Sequence, residues 1–150
     1  MLGRELAKYR DVGLLVLRVG LGAAFIAHGC PKLTGGKPAW EHLGQAAGMP
    51  APLIFGFIGA LIEVGGGVLL MLGLCFRLAA TLLFLQMCVA LFRVHLPHHD
   101  PFSAYSHALE DGIVFLGLIF IGPGIYSIDE GINAVARNLP ETDVRSHPPG

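Results

Sequence analysis

Polar side chains capable of proton chemistry interrupt stretches of this chain that are otherwise apolar. They are Arg18, His28, Glu63, Gln86, His107 and Glu110. A histidine or a carboxylate can pass a proton to or from a bound molecule, and an arginine can stabilise an oxygen that becomes negatively charged. The set therefore suits proton-coupled redox chemistry on a small organic molecule. Ionisable groups within long apolar segments are costly, and they commonly mark a functional site.

Glu63 lies near the middle of the most apolar stretch, LIFGFIGALIEVGGGVLLMLGL, residues 53–74. Its helical face also carries Gly56, Gly59, Gly66 and Gly67, so a neighbouring helix can approach closely. Counted from the same predicted membrane edge, Arg18 lies about 12 residues deep and Glu63 about 11, at 1.5 Å per residue. The sequence therefore predicts a buried ion pair between Arg18 and Glu63. The alternative is that these charges only fix helix register.

The other polar residues lie at comparable depths or at the same edge, which predicts a cavity that opens toward one face of the membrane. We expect its lining to include His28, Glu63, Arg93, His95, His107 and Glu110. The candidate catalytic residues are Glu63, Glu110, His28 and His95, and the candidate binding residues are Arg18, Arg93, His107 and Lys32. A quinone suits such a site, because its head needs two hydrogen-bonding ends and a proton source.

A metal site and a redox cysteine pair are weaker interpretations. The segment HLPHHD, residues 95–100, holds imidazoles and a carboxylate, which are metal ligands, but its spacing matches no recognised signature. We assign no metal. Cys30 and Cys88 fall near the same membrane edge, yet neither belongs to a CxxC motif, and a buried cysteine commonly packs as a small apolar residue.

Four apolar spans position these groups. The chain has 150 residues, of which 53% are hydrophobic and 14% charged, and its mean hydropathy is +0.63, as in integral membrane proteins. The predicted spans are residues 12–29, 53–74, 77–95 and 103–122, with a short amphipathic helix within 39–49 and a polar tail over 127–150. The prediction is a single all-α domain over residues 1–150, an integral membrane four-helix bundle.

The charges predict an orientation. One side of the predicted bundle carries Arg4, Lys8, Arg10, Arg77, Arg137 and Arg145, and the other carries Lys32, Lys37 and Arg93. Six positive charges against three predict that both termini lie in the cytoplasm and that the histidine-bearing loops lie on the outer side of the membrane. The membrane is expected to be a cell membrane or inner membrane. Net charge is −1 with no basic run, which excludes nucleic acid as a partner. Because Arg18 lies inside the first span, a cleavable signal peptide is disfavoured.

The order of the polar positions carries a family resemblance over about residues 12–130. The segments are LRVGLGAAFIAHGCPKL, GALIEVGGGVLLMLGLCFRLAA, FRVHLP and SHALEDGIVFLGLIFIGPGIYSID, with Arg18, His28-Gly29, Lys32-Leu33, Glu63, His95, Glu110, Gly122-Pro123-Gly124 and Tyr126-Ser127 as the matching positions. This pattern resembles the DoxX family of small four-helix membrane proteins, which is similar to the DoxD subunit of thiosulfate:quinone oxidoreductase. The resemblance implies a membrane oxidoreductase subunit linked to quinone reduction, sulfur oxidation or oxidative stress.

Three functions remain open on the sequence. The first is an oxidoreductase subunit that binds a quinone and relays protons, with the lipid bilayer, a redox partner subunit and further copies of the chain as candidate partners. The second is a non-enzymatic membrane partner or assembly protein whose buried charges set helix register. The third is a carrier for a small solute or a metal. Since the sequence has no dinucleotide fingerprint, haem motif or iron–sulfur cysteine set, electrons would come from a partner or from quinone itself.

Overall fold

The computed structural model describes residues 8–138, and all regular structure within that range is helical. The helices are α1 Arg10–Thr34, α2 Gly36–Ala46, α3 Pro52–Leu72, α4 Phe76–Val89, α5 Phe102–Ile121 and α6 Ile128–Asn138. Four of them, with α4 continued to His98, are long and apolar enough to span a membrane. The predicted all-α membrane bundle is confirmed. The part of the predicted tail after Asn138 lies outside the described residues.

Helix α1 is longer than predicted and ends five residues later, at Thr34 rather than residue 29. It continues through Pro31, which lies in the last turn, where loss of one backbone hydrogen bond is tolerated. The open carbonyls of this turn find donors, because Thr34 Oγ1 donates to the Cys30 carbonyl at 2.9 Å and Gly35 N donates to the Pro31 carbonyl at 3.0 Å. The extra turn changes how deep every residue of α1 lies.

The ends of α3 follow simple backbone rules. Pro52 occupies the first turn, where a missing N–H costs nothing. Gly73 ends the helix with φ 64°, and Leu74 N donates to the Leu69 carbonyl at 3.0 Å, which is the Schellman pattern that glycine favours. The resulting turn is short. It forces α4 to begin directly beside α3 and to run antiparallel to it.

Helix α4 does not remain α-helical to its end. A π-helical turn spans Ala90–His95 and a 3-10 turn spans Leu96–His98, over residues that the sequence assigns mostly to one regular helix. π-turns inside helices are rare and recur at functional sites. The wider turn changes the direction of the side chains within it, including that of His95 at its end. The irregularity thus lies where the polar residues of the sequence analysis converge.

The bundle has two unlike ends. We call the end that carries α2 and residues 96–101 the loop end, and the end that carries Tyr9, the turn after α3 and residues 122–138 the termini end. The apolar core occupies the half nearer the termini end, where Leu70, Phe76, Leu83, Phe115 and Leu118 are almost fully buried. Large apolar side chains on all four spans, such as Val16, Leu78 and Phe120, are exposed, as a lipid environment requires.

Helix α2 packs against the bundle rather than lying apart on the membrane surface. A Cβ atom at Gly44 would fall 2.1 Å from the Pro52 carbonyl oxygen, and one at Gly56 would fall 1.7 Å from the Trp40 carbonyl oxygen. Glycine is therefore required for the α2–α3 contact. The sequence predicted a short helix here but did not predict that it covers the loop end of α3.

Candidate functional site

A cavity of about 630 Å³ lies in the half of the bundle nearer the loop end, between α1, α3, α4 and α5 and beneath α2. Its floor is the top of the apolar core, where Phe25, Met87 and Ala108 belong both to the core and to the cavity wall. Phe25 and Phe115 meet edge to face at 4.9 Å between ring centres, which closes the space between α1 and α5 below the cavity. This volume is within the usual range for a small-molecule site, roughly 300–1,000 Å³.

Most of the cavity wall is apolar, and a few polar groups converge on it. The polar lining residues are His28, Lys32, Glu63, Gln86, His95, His107 and Asp111. Of these, the side chains of His28, Gln86, His107 and Asp111 make no hydrogen bond with any other residue in the 8–138 range. Unpartnered polar groups in an apolar wall are the arrangement that fixes a ligand's orientation.

Glu63 is buried and its partner is Lys32. Lys32 Nζ donates to both carboxylate oxygens of Glu63, each at 2.7 Å. The two helices are held close at this level, because a Cβ atom at Gly29 would lie only 2.9 Å from the Glu63 Cβ. The ion pair therefore joins the outer turn of α1 to the middle of α3 and forms part of the cavity wall.

The predicted ion pair between Arg18 and Glu63 is wrong. Because α1 extends to Thr34, Arg18 lies 16 residues from the loop end of its helix, roughly 24 Å at 1.5 Å per residue, whereas Glu63 lies 11 residues from Pro52, roughly 16 Å. Gly29, not Arg18, is level with Glu63. The predicted first span ended at residue 29, and this placed Arg18 at nearly the same depth as Glu63. Arg18 does not line the cavity.

Arg18 belongs instead to a polar network at the termini end. It is 1% exposed, and its Nη2 donates to the Tyr126 carbonyl at 2.7 Å. Asp129 is its electrostatic partner and also accepts from Cys75 N at 2.9 Å and Phe76 N at 2.8 Å, which caps the start of α4. Nε and Nη1 of Arg18 find no acceptor among the described residues. The sequence had assigned no role to Asp129.

His95 is oriented by a carboxylate. Its Nδ1 lies 2.7 Å from Asp100 Oδ2, in the loop that follows the π-turn. The His95 and His107 rings stand edge to face with centres 6.0 Å apart, so α4 and α5 present their imidazoles to each other at the cavity wall. A hydrogen-bonded carboxylate fixes the ring orientation and leaves Nε2 for another partner. The prediction that both histidines line one cavity is confirmed.

Two predicted lining residues lie elsewhere. Glu110 is exposed and does not line the cavity. Arg93 contacts the end of α2, where its Nε lies 3.3 Å from the Ala47 carbonyl and its Nη2 lies 3.1 Å from the Gly48 carbonyl. A cation at a helix C-terminus satisfies open carbonyls and the helix dipole. Arg93 therefore positions α2, which covers the cavity, and does not itself line the cavity.

Asp111 is the cavity carboxylate that the sequence analysis missed. It interacts electrostatically with His107 and with His28 across the cavity. Helical periodicity contained the signal: Asp111 stands three residues after Ala108 and four before Phe115, which are both buried, whereas Glu110 stands two residues from Ala108, on the opposite face. The prediction that Glu110 lines the cavity ignored which face of α5 is buried.

The described residues contain no cluster of three or more His, Cys, Asp or Glu side chains able to hold a metal ion. Within the HLPHHD segment, His98 Nδ1 contacts the Val94 carbonyl and His99 is exposed. Cys30, Cys75 and Cys88 are all free.

A sequence model of the DoxX family matches residues 13–96, more than half of the chain. This chain belongs to the DoxX family. The match covers α1 to α4 and so includes Lys32, Glu63 and His95 of the cavity. Asp111 lies beyond the matched residues. The resemblance drawn from the sequence is thereby confirmed at the level of the family.

Two relatives of this DoxX protein are named as membrane proteins. It is 32% identical over 131 residues to the inner membrane protein YqjF of Escherichia coli, covering 84% of this chain and 96% of that protein. It is 27% identical over 132 residues to the membrane protein Rv3486 of Mycobacterium tuberculosis, covering 80% of this chain and 81% of that protein. A Bacillus subtilis protein named provisionally as an oxidoreductase, CatD, is 34% identical over 86 residues, 57% of this chain and 62% of CatD. No solved structure matches this chain.

Proposed function

We propose that this DoxX protein is a membrane oxidoreductase subunit that binds a quinone-like molecule in the cavity and handles its protons. The observation that carries the proposal is the cavity of about 630 Å³ whose apolar wall presents His28, Gln86, His107 and Asp111, which have no hydrogen-bond partners in the described part of the chain. The provisional oxidoreductase name of the related CatD supports the same reaction class.

The geometry suits the two ends of a quinone head. His28 on α1 and the His107–Asp111 turn of α5 face the cavity from different helices, so each can reach one carbonyl oxygen of a ring between them. Reduction of a quinone to a quinol takes two electrons and two protons. The protons come through the histidines and Asp111, which are the free acid–base groups of the wall. The electrons come from a redox partner protein.

The remaining polar groups have supporting roles in this scheme. Asp100 fixes the orientation of His95, and that leaves one imidazole nitrogen for proton exchange at the cavity wall. Lys32 and Glu63 are hydrogen-bonded to each other, and this ion pair fixes the wall between α1 and α3. Lys32 also places a positive charge near the developing oxyanion.

We further propose that both termini are cytoplasmic and that the cavity lies toward the opposite face of the membrane. The support is the excess of Lys and Arg that the sequence carries in the terminal segments and in the turn after α3 over the loops between the other spans, six against three. A reporter enzyme that is active only in the cytoplasm, fused after Gly150, should therefore be active, and a reporter active only outside should not be. The reverse pattern would place the cavity toward the cytoplasm.

Asp111→Asn tests the proposal against a matched control, Glu110→Gln. Both changes remove one negative charge from adjacent positions on α5, but only Asp111 lines the cavity. At equal amounts of folded protein, Asp111→Asn should weaken quinone binding, or partner-dependent quinone reduction, by about tenfold or more, since the loss of one charged hydrogen bond corresponds to roughly 1.5–3 kcal/mol. Glu110→Gln should change neither.

Equal behaviour of the two variants would contradict the proposal. If the wild-type protein binds no quinone and Asp111→Asn is neutral in every assay, the cavity is not a quinone site. The alternative of a non-enzymatic membrane partner whose charges set helix register would then be preferred.

A further inference from the structure

The cavity does not end at the interior of the bundle. Its wall continues between α3 and α4, where it is formed by Phe55, Ile58 and Ile62 on one side and by Leu82, Leu85 and Val89 on the other. Ile58 is 42% exposed and Leu85 is 51% exposed on the outer surface of the spans. Residues that line the cavity and also face lipid show that the space reaches the side of the bundle, within the apolar belt.

Charge is distributed unevenly around this continuous space. The ionisable lining residues lie on α1, on α5, at the end of α4 and at Glu63, on the face of α3 that contacts α1. The crevice between α3 and α4 carries only apolar side chains apart from Gln86, whose amide lies opposite Gly59 and makes no hydrogen bond with any described residue. One space thus has a polar region and an apolar arm that leads to the lipid.

We propose that the cavity takes one amphiphilic molecule from the bilayer, with its polar head among His28, His107 and Asp111 and its hydrocarbon tail in the crevice between α3 and α4. This inference rests on the proposed quinone function and specifies the substrate class as tailed, lipid-soluble quinones. Gln86 lies between the two parts, where its amide can hydrogen-bond the inner edge of the head group.

The width of the crevice excludes a larger occupant. A Cβ atom at Gly59 would lie 3.1 Å from Gln86 Nε2, so α3 and α4 are separated only by the Gln86 side chain at this level. A transmembrane helix of a partner protein, roughly 10 Å in diameter, cannot enter such a gap. A single hydrocarbon chain is a much narrower occupant, and the apolar walls of the crevice offer it van der Waals contacts.

The test compares two quinones with the same head, 2,3-dimethoxy-5-methylbenzoquinone without a tail and its decyl derivative. Binding to the full-length protein in detergent is measured by calorimetry. Wild-type protein should bind the decyl quinone at least about tenfold more tightly. Gly59→Leu fills the crevice and should remove that advantage. Because its side chain would also meet the Gln86 amide, the affinity of the tailless quinone is judged from Ile58→Trp, which should change it less than about twofold.

Gly65→Leu is the matched control, because a Cβ atom at Gly65 on the same helix meets nothing within 4 Å. It should change neither affinity. Ile58→Trp, which adds bulk at the outer mouth of the crevice, should act as Gly59→Leu does and covers the case in which the latter does not fold. If the tail adds no affinity in the wild type, or if both quinones weaken equally in the crevice variants, the tail site is overturned and the head site stands. If neither quinone binds the wild type, both proposals fall.

Discussion

The two ends of the bundle use similar residue types in opposite ways. At the termini end, Asp129 accepts from two backbone amides and Ser127 links the Gly124 carbonyl to the Glu130 amide. At the loop-end cavity, His28, His107 and Asp111 have no hydrogen-bond partner among residues 8–138. Polar groups with fixed backbone partners stabilise a fold, and polar groups without them are available to a ligand.

Arg18 sharpens this difference. Two of its three guanidinium nitrogens also lack an acceptor among the described residues, but the side chain is almost completely buried beneath Gly73, whose Cβ position would fall 1.9 Å from Nη1. Arg18 is not among the residues that line the cavity. An unpartnered group is therefore evidence for binding only when it also faces a space that a molecule can enter.

The largest loss of stability should come from Asp129→Ala at the termini end. The change removes the acceptor of two amides in the first turn of α4, which costs about 0.5–2 kcal/mol, and leaves Arg18 without its anionic neighbour, so we expect a total loss of about 3 kcal/mol. Thermal unfolding in detergent measures it. Quinone affinity per folded molecule should not change.

Glu130→Ala is the control for that experiment. Glu130 lies in the same turn of α6, and its ion pair with Arg137 is largely exposed, so the expected loss is about 0.5 kcal/mol. Equal losses for Asp129→Ala and Glu130→Ala would show that the termini-end network does not carry the stability that its geometry implies.

A second, smaller effect is expected at the ion pair of the cavity wall. Lys32→Met leaves the buried Glu63 carboxylate unpaired and should cost about 2 kcal/mol, reduced because Lys32 is partly exposed. Glu63→Leu should cost less, since Lys32 can turn toward water. The double variant should lose less than the sum of the two. Strictly additive losses in thermal unfolding would mean that the two charges are not energetically coupled.

The smallest effect should follow Arg93→Gln, which releases the C-terminal end of α2. One or two hydrogen bonds to the Ala47 and Gly48 carbonyls are lost, corresponding to about 1 kcal/mol. Hydrogen exchange should accelerate in α2 and not in the remaining helices. Arg77→Gln serves for comparison, because Arg77 bonds the Ile119 carbonyl at the other end of the bundle. Faster exchange of α2 in that variant would indicate a general loss of stability.

The sequence was sufficient for the fold, because four long apolar spans leave little choice of structure in a membrane. The sequence was less informative about how deep each polar residue lies in the bundle. The first span was predicted to end at residue 29, and that one assumption displaced Arg18 by five residues and paired it with Glu63 instead of leaving Lys32 as the partner. Spacing within a helix could have identified Asp111. The π-turn could not be found, since nothing in the sequence of residues 90–95 distinguishes it from a regular turn.

The cap on α4 has a consequence for biosynthesis. Asp129 stands 53 residues after Phe76, and its own amide donates to the Gly73 carbonyl at 3.0 Å, so the start of α4 is completed by a segment that leaves the ribosome after α5. During synthesis the Arg18 guanidinium and the first amides of α4 therefore lack these partners until residues 126–129 have been made. A chain that ends before residue 129 would lack the contacts that close the termini end.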